Sequence, residues 1–316
     1  TFTELLPAGS REKLANARIN CLYYDKDNSM WIGTGNGLNR FDPVDSRYET
    51  VLLAGKESSG TGLSVSALCQ SPDGALFAAT PGAIYRLAAD GGNTQRVAEL
   101  AGIPVTFMIS DASGTLWGAT GEGLLKIRRA QLPVSHFTST ATPKFISPGE
   151  ITGISLVADR IILVYRGGNY EALNLRTREK QEYKTLNGGR VVGFYALSDN
   201  RMAVLSENNL EIAGGNSRKS VYDIYSWVNK DQLRQAVFTC LLFDSLSGFW
   251  LGTEDGLQLI RTDSAKHRVI RSLRFENQDL KIGRVYDIES DKKHHIWIAT
   301  NDGLIYYNPQ RGDLYR

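Results

Sequence analysis

The chain has 316 residues, 42% of them hydrophobic and 22% charged, an ordinary globular composition long enough for two average domains or one large β-domain. Its 36 basic and 34 acidic residues leave a formal net charge of +2, which excludes a global field for nucleic-acid or membrane-surface binding, so any charge-based function is local. No stretch approaches the ~18 apolar residues of a spanning helix, so no direct membrane insertion is expected. The opening Thr1 starts no signal-like segment, and a chain without an initial Met is expected to be a mature fragment of something longer.

Thirty-one glycines against nine prolines suit a protein full of tight hairpins, because glycine supplies the positive φ angles of short turns. In chain order, residues 19–24 read as a first strand, 25–29 as a polar turn, 30–33 as a second strand, 35–37 as a tight turn, 38–41 as a third strand and 48–52 as a fourth. The motif Met30-Trp31-Ile32-Gly33-Thr34 followed by Gly37-Leu38 then returns, as Leu76-Phe77-Ala78-Ala79-Thr80 with Ala83-Ile84 and as Leu116-Trp117-Gly118-Ala119-Thr120 with Gly123-Leu124. Two degenerate copies follow at Ile162 and Ala203, and two clear ones at Trp250 and Trp297.

The steps between Trp31, Phe77, Trp117, Ile162, Ala203, Trp250 and Trp297 run from 40 to 47 residues, the spacing of four short strands per repeat. The sequence therefore predicts an all-β fold: one domain over residues 1–316, a seven-bladed β-propeller of four-stranded antiparallel blades. Phe2-Thr3-Glu4-Leu5-Leu6 resembles a fourth strand and is expected to complete the last blade and close the ring. The repeated Trp or Phe is expected to fill the wedge between blades, the Thr to favour a strand end and the Gly to relax the second turn. Cys21, Cys69 and Cys240, an odd number in apolar stretches, fit small buried hydrophobes rather than a zinc site or a disulfide framework.

The string from Asp25 through Met30-Trp31-Ile32-Gly33-Thr34 to Gly37-Leu38-Asn39-Arg40-Phe41-Asp42 is similar to the two-component regulator propeller repeat, well in five units and poorly in two. That resemblance implies a periplasmic ligand-sensing propeller of a hybrid two-component system, best known in gut Bacteroides, with oligosaccharides as the usual signals. It implies as partners a second propeller and an immunoglobulin-like module of the same sensor, and a second copy of the protein. A membrane helix, a histidine kinase and a response regulator would lie elsewhere, so any kinase activity is outside this chain. Related propellers include streptogramin-type lyases and interaction scaffolds, which leaves a lyase or glycoside-active enzyme and a scaffold as alternatives.

In a propeller the second turn of each blade and the segment entering the next first strand share one face, where ligands usually sit. Arg18, Arg190 and Arg284 precede the first strands of units one, five and seven and are candidates to clamp carboxylates or sulfates, with Arg166 and Arg234 near the same face. Pairing with a neighbouring acidic loop, such as Glu254-Asp255 or Asn301-Asp302, is the competing role for each. Tyr165, Tyr170 and Tyr286 are candidate stacking aromatics for a saccharide, and Glu122, Asp255 and Asp302 are the turn carboxylates an enzyme reading would need. His136 and His267 fall in outer-strand regions and His294-His295 in a first turn on the opposite face, so no catalytic or metal-ligating residue and no cofactor is expected.

Overall fold

The computed structural model describes residues 14–42, 47–51, 53, 63–88, 93–100, 102–128, 134–138, 145–185, 189–197, 201–207, 209–214, 220–223, 237–254, 256–261, 268–273, 283–301 and 303–315. They form seven four-stranded antiparallel sheets, each with its strands in sequence order, and no helix among the described residues. The fold is the seven-bladed β-propeller that the repeat predicts. Blade 1 comprises Ile19–Tyr24, Met30–Thr34, Gly37–Asp42 and Arg47–Val51, within a residue of the predicted bounds. The proposed closing strand at Phe2–Leu6 lies outside the described residues.

The chain divides into two compact units, blades 1 to 4 within residues 6–183 and blades 5 to 7 within residues 184–316. In the first unit the first strands of the four blades, Ile19–Tyr24, Ala67–Gln70, Val105–Ser110 and Ile151–Val157, pack side by side in order. In the second unit Val191–Ala196, Phe238–Asp244 and Val285–Ser290 do the same. The first strand is therefore the innermost of each blade.

The core lies in the wedges between successive blades. Trp31 packs with Leu68 and Leu76 of blade 2, Trp117 with Ile154 and Ile161 of blade 4, and Trp250 with Ile288 and Ile296 of blade 7. The repeated indoles are completely buried, as expected of side chains that tile one blade against the next.

Two further letters of the repeat act through side-chain hydrogen bonds. Thr34, Thr80, Thr120, Thr253 and Thr300 each donate their hydroxyl to the carbonyl three residues on, clipping the second turn shut; Ser206 does so in blade 5. The Thr thus closes the second turn as well as ending the strand. Asp25 and Asp111 accept the indole N–H of the Trp six residues later and two turn amides besides, which ties the first turn to the wedge.

Candidate functional site

One backbone hydrogen bond recurs at the end of the blades where the innermost strand begins. The amide just past the second strand donates to the residue just before the first strand: Gly35 to Arg18, Arg166 to Glu150, Glu207 to Arg190, Glu254 to Val237 and Asn301 to Arg284. This bond holds entry segment and second turn together on one face, and it gives Arg18, Arg190 and Arg284 the same position in blades 1, 5 and 7. All three side chains are exposed.

Of the two roles open to these arginines, Arg284 and Arg166 take the pairing one. Arg284 donates to Glu254 at 3.0 Å and lies over the ring of Tyr286, 5.6 Å from its centre. Arg166 donates to both oxygens of Glu150 at 2.5 Å, and that pairing raises its pKa further above the ordinary range. Arg18 belongs to the first unit and Arg190 and Arg284 to the second. Arg234, Asp255 and Asp302 lie outside the described residues.

Of the other predicted residues, Glu122 sits exposed at the second turn of blade 3, its backbone N–H donating to Thr120 Oγ1. Tyr286 is half-buried on its first strand. Tyr165 and Tyr170 are corrections: both are buried, the first donating its hydroxyl to Glu171 and the second stacked on Tyr183 with ring centres 5.0 Å apart, so neither ring is open to a saccharide. Tyr165 stands where regular blades carry Thr, and Glu171 absorbs its hydroxyl.

Sequence reasoning missed the innermost strands themselves. Each blade of the first unit carries a polar residue where its innermost strand begins: Asn20, Thr106 and Thr152 are the second residues of theirs, and Ser66 immediately precedes Ala67. Asn20 donates to Val65 O at 2.9 Å and Ser66 to Val105 O at 2.6 Å, so each staples its blade to the next. Thr106 and Thr152 donate more loosely to Ala119 O at 3.3 Å and Val164 O at 3.4 Å. Beside Thr106 stands Phe107, 46% exposed although it lies on an innermost strand. Ala67 and Gly153 occupy the same register position in blades 2 and 4. A bulky residue among small ones was readable in the aligned repeats.

The innermost strand of blade 7 is the acidic one. Asp287 and Glu289 share one face of it, and burial, reinforced by Asp287, pushes the Glu289 carboxyl up to about 8. At the opposite end of the blades, His294 Nδ1 meets Asp244 Oδ1 at 2.5 Å and His295 Nδ1 meets Asp291 Oδ2 at 2.8 Å. These imidazoles are committed to turn carboxylates far from the rim. Among the described residues no group of three or more His, Cys, Asp or Glu is placed to hold a metal ion.

The family model described as "Two component regulator propeller" matches residues 13–36. Over those residues the chain is similar to that repeat. A curated relative, "Histidine kinase P4" of Formosa agariphila, is 29% identical over 82 residues, which is 25% of this chain and 6% of that protein. Among solved structures, the extracellular domain of a hybrid two component system of B. thetaiotaomicron superimposes with a TM-score of 0.66 at 16% identity, over 92% of this chain and 40% of that one. Virginiamycin B lyase from Staphylococcus aureus superimposes with a TM-score of 0.58 at 17% identity, over 74% and 77%. At these identities the structural likeness shows the propeller fold. The chain spans well under half the length of the two sensor-type proteins it matches.

Proposed function

We propose that this chain is a ligand-sensing propeller from the extracytoplasmic region of a hybrid two-component sensor, and that it recognises an oligosaccharide at the rim where the innermost strands begin. The repeat match at residues 13–36 carries this reading. It is supported by the likeness to an extracellular domain of such a system and by a rim of exposed Arg, Glu and hydroxyl groups without a metal cluster among the described residues. A second propeller, an immunoglobulin-like module and a second copy of the chain are its proposed partners, outside the cytoplasm.

Isothermal titration of the purified chain against a panel of neutral and acidic oligosaccharides tests it. Saturable binding of at least one member, with the sugar recovered intact, is the expected result. No binding across the panel overturns the reading, and turnover of a bound sugar replaces it with an enzyme.

A further inference from the structure

We propose that Phe107 is the stacking platform of a subsite for a neutral pyranose ring, built within blades 2 to 4. The inference rests on the proposed saccharide-sensing function and specifies its site and charge class.

Three observations converge. First, Phe107 leaves 46% of its surface in solvent on the innermost strand of blade 3, where a large apolar side chain would ordinarily face a neighbour. Its own strand explains the exposure: register shifts between Val105 and Phe107, and the level positions on either side are Ala67 and Gly153, which offer little or nothing to cover a ring. An aromatic face left open in this way presents its negative π-surface to the C–H groups of a flat ligand.

Second, the residues beside it carry hydrogen-bonding groups of the kind that meet a hydroxylated ring edge. Ser66, Thr106 and Thr152 stand one residue before Ala67, Phe107 and Gly153 of three adjacent strands, Ser66 at the entry to its strand and the other two within theirs. Each hydroxyl donates to a backbone carbonyl and keeps its lone pairs for a ligand hydroxyl. An apolar surface with a few convergent polar groups is the usual make-up of a small-molecule site.

Third, the local charge favours an uncharged ligand. Arg166, the cation of the adjoining rim, is already held by both oxygens of Glu150, and Glu122 projects from the second turn of the same blade as Phe107. An anionic sugar would meet a carboxylate there and would have to break the Arg166–Glu150 pair to gain a partner.

The test is titration of the wild-type chain, Phe107→Ala and Phe107→Tyr against neutral hexasaccharides (maltohexaose, cellohexaose, xylohexaose, mannohexaose) and against oligogalacturonate and sulfated disaccharides. The expected result is binding of a neutral member, weakened about tenfold or more by Phe107→Ala and restored by Phe107→Tyr. Because the side chain is half exposed, the melting temperature of Phe107→Ala should match the wild type. As a check free of mutation, the ring protons of Phe107, assigned in a phenylalanine-labelled sample, should shift on addition of the bound sugar.

Binding that survives Phe107→Ala with less than a tenfold change, or a bound sugar that leaves the Phe107 ring protons unmoved, overturns the subsite while leaving the sensor reading intact. Binding confined to the acidic sugars overturns its charge class. No binding by the wild type removes the sensor reading and the subsite with it.

Discussion

The indole nitrogen of Trp31 donates to the carboxylate of Asp25 at 2.7 Å, so a side chain that fills the wedge between two blades also holds the turn six residues upstream. Trp117 and Asp111 repeat the contact at 2.9 Å. In blade 6 it runs through a hydroxyl: Trp250 donates to Ser247, and Ser247 to Asp244. One hydrogen bond couples the polar surface of a blade to its core.

Acid sensitivity follows from this coupling. Burial alone would raise the pKa of Asp111, but hydrogen bonds from Ser113, Trp117 and Thr115 together outweigh it and hold the carboxyl below the usual carboxylate range. A carboxylate with a depressed folded-state pKa contributes stability that is present above its unfolded value near 3.8 and is lost as pH falls through the folded value. Asp111→Asn should therefore cost about 1–3 kcal/mol at pH 7 and progressively less at an acid pH below 3.8. Urea melts at the two pH values check this; an equal cost at both would show that the charge is irrelevant.

Blade 7 should behave in the opposite sense. Glu289 occupies the register position filled by Tyr23 in blade 1, Tyr195 in blade 5 and Leu242 in blade 6, each paired with the Trp position of the second strand. Burial first, and then Asp287, raises its pKa from 4.5 to about 8. A raised folded-state pKa contributes stability that is complete below about 4.5 and is lost as pH rises through about 8. Glu289→Gln is expected to leave the melting temperature unchanged at pH 4.5 and to raise it by about 3 °C or more at pH 9. A variant less stable than wild type at pH 9 would refute this.

The second turn of blade 3 leaves no room for a side chain at its glycine. Gly123 has φ +150°, and a Cβ there would collide with the carbonyl oxygen of Phe137 on the fourth strand. Gly123→Ala should cost more than about 3 kcal/mol, since backbone rather than a flexible side chain must move. Thr120→Val, which removes only the clip to Gly123 O and the acceptor for Glu122 N, should cost about 1–2 kcal/mol. Chemical denaturation of the two variants reads the order directly, and the reverse order would contradict the geometry.

The fold was legible in the sequence because each wedge repeats the same burial problem and is solved by the same letters, Trp31, Trp117, Trp250 and Trp297. The Thr of the motif was legible as a strand end but not as a turn clip, since its hydroxyl bond to Gly37 O or Gly123 O becomes visible only once the turn is folded. The rim was half legible. The recurrent entry bond places Arg18, Arg190 and Arg284 alike; Glu254, one of the acidic turn residues offered as a partner and thirty residues before Arg284 in sequence, is brought to Arg284 by stacking one blade on the next. Tyr165 misled because an aromatic next to a turn looks exposed in a linear reading; the buried acid that takes its hydroxyl lies on the adjacent strand.

That acid, Glu171, anchors the irregular blade. Only 1% exposed, it accepts the hydroxyl of Tyr165, the amide of Ser147 at 3.2 Å and the hydroxyl of Ser147 at 2.7 Å, with Lys180 Nζ 3.6 Å away. Asn39 does the same job in blade 1, accepting the amide of Ala15 at 2.9 Å. Ala15 and Ser147 each lie four residues before their first strand, so a polar side chain on the third strand ties down the entry segment in both blades. Glu171→Ala would leave the Tyr165 hydroxyl and the Ser147 amide without their acceptor, while Lys180 keeps Glu182 at 2.7 Å and Ser147 Oγ at 3.1 Å, and should cost about 2–4 kcal/mol. Glu171→Gln keeps the shape and an acceptor oxygen and should lose clearly less. Because Ser147 leads directly to Glu150, amide hydrogen exchange over residues 147–150 should accelerate in Glu171→Ala well before global unfolding. Unchanged exchange there, or equal losses from Ala and Gln, would show that Glu171 does not hold the entry segment.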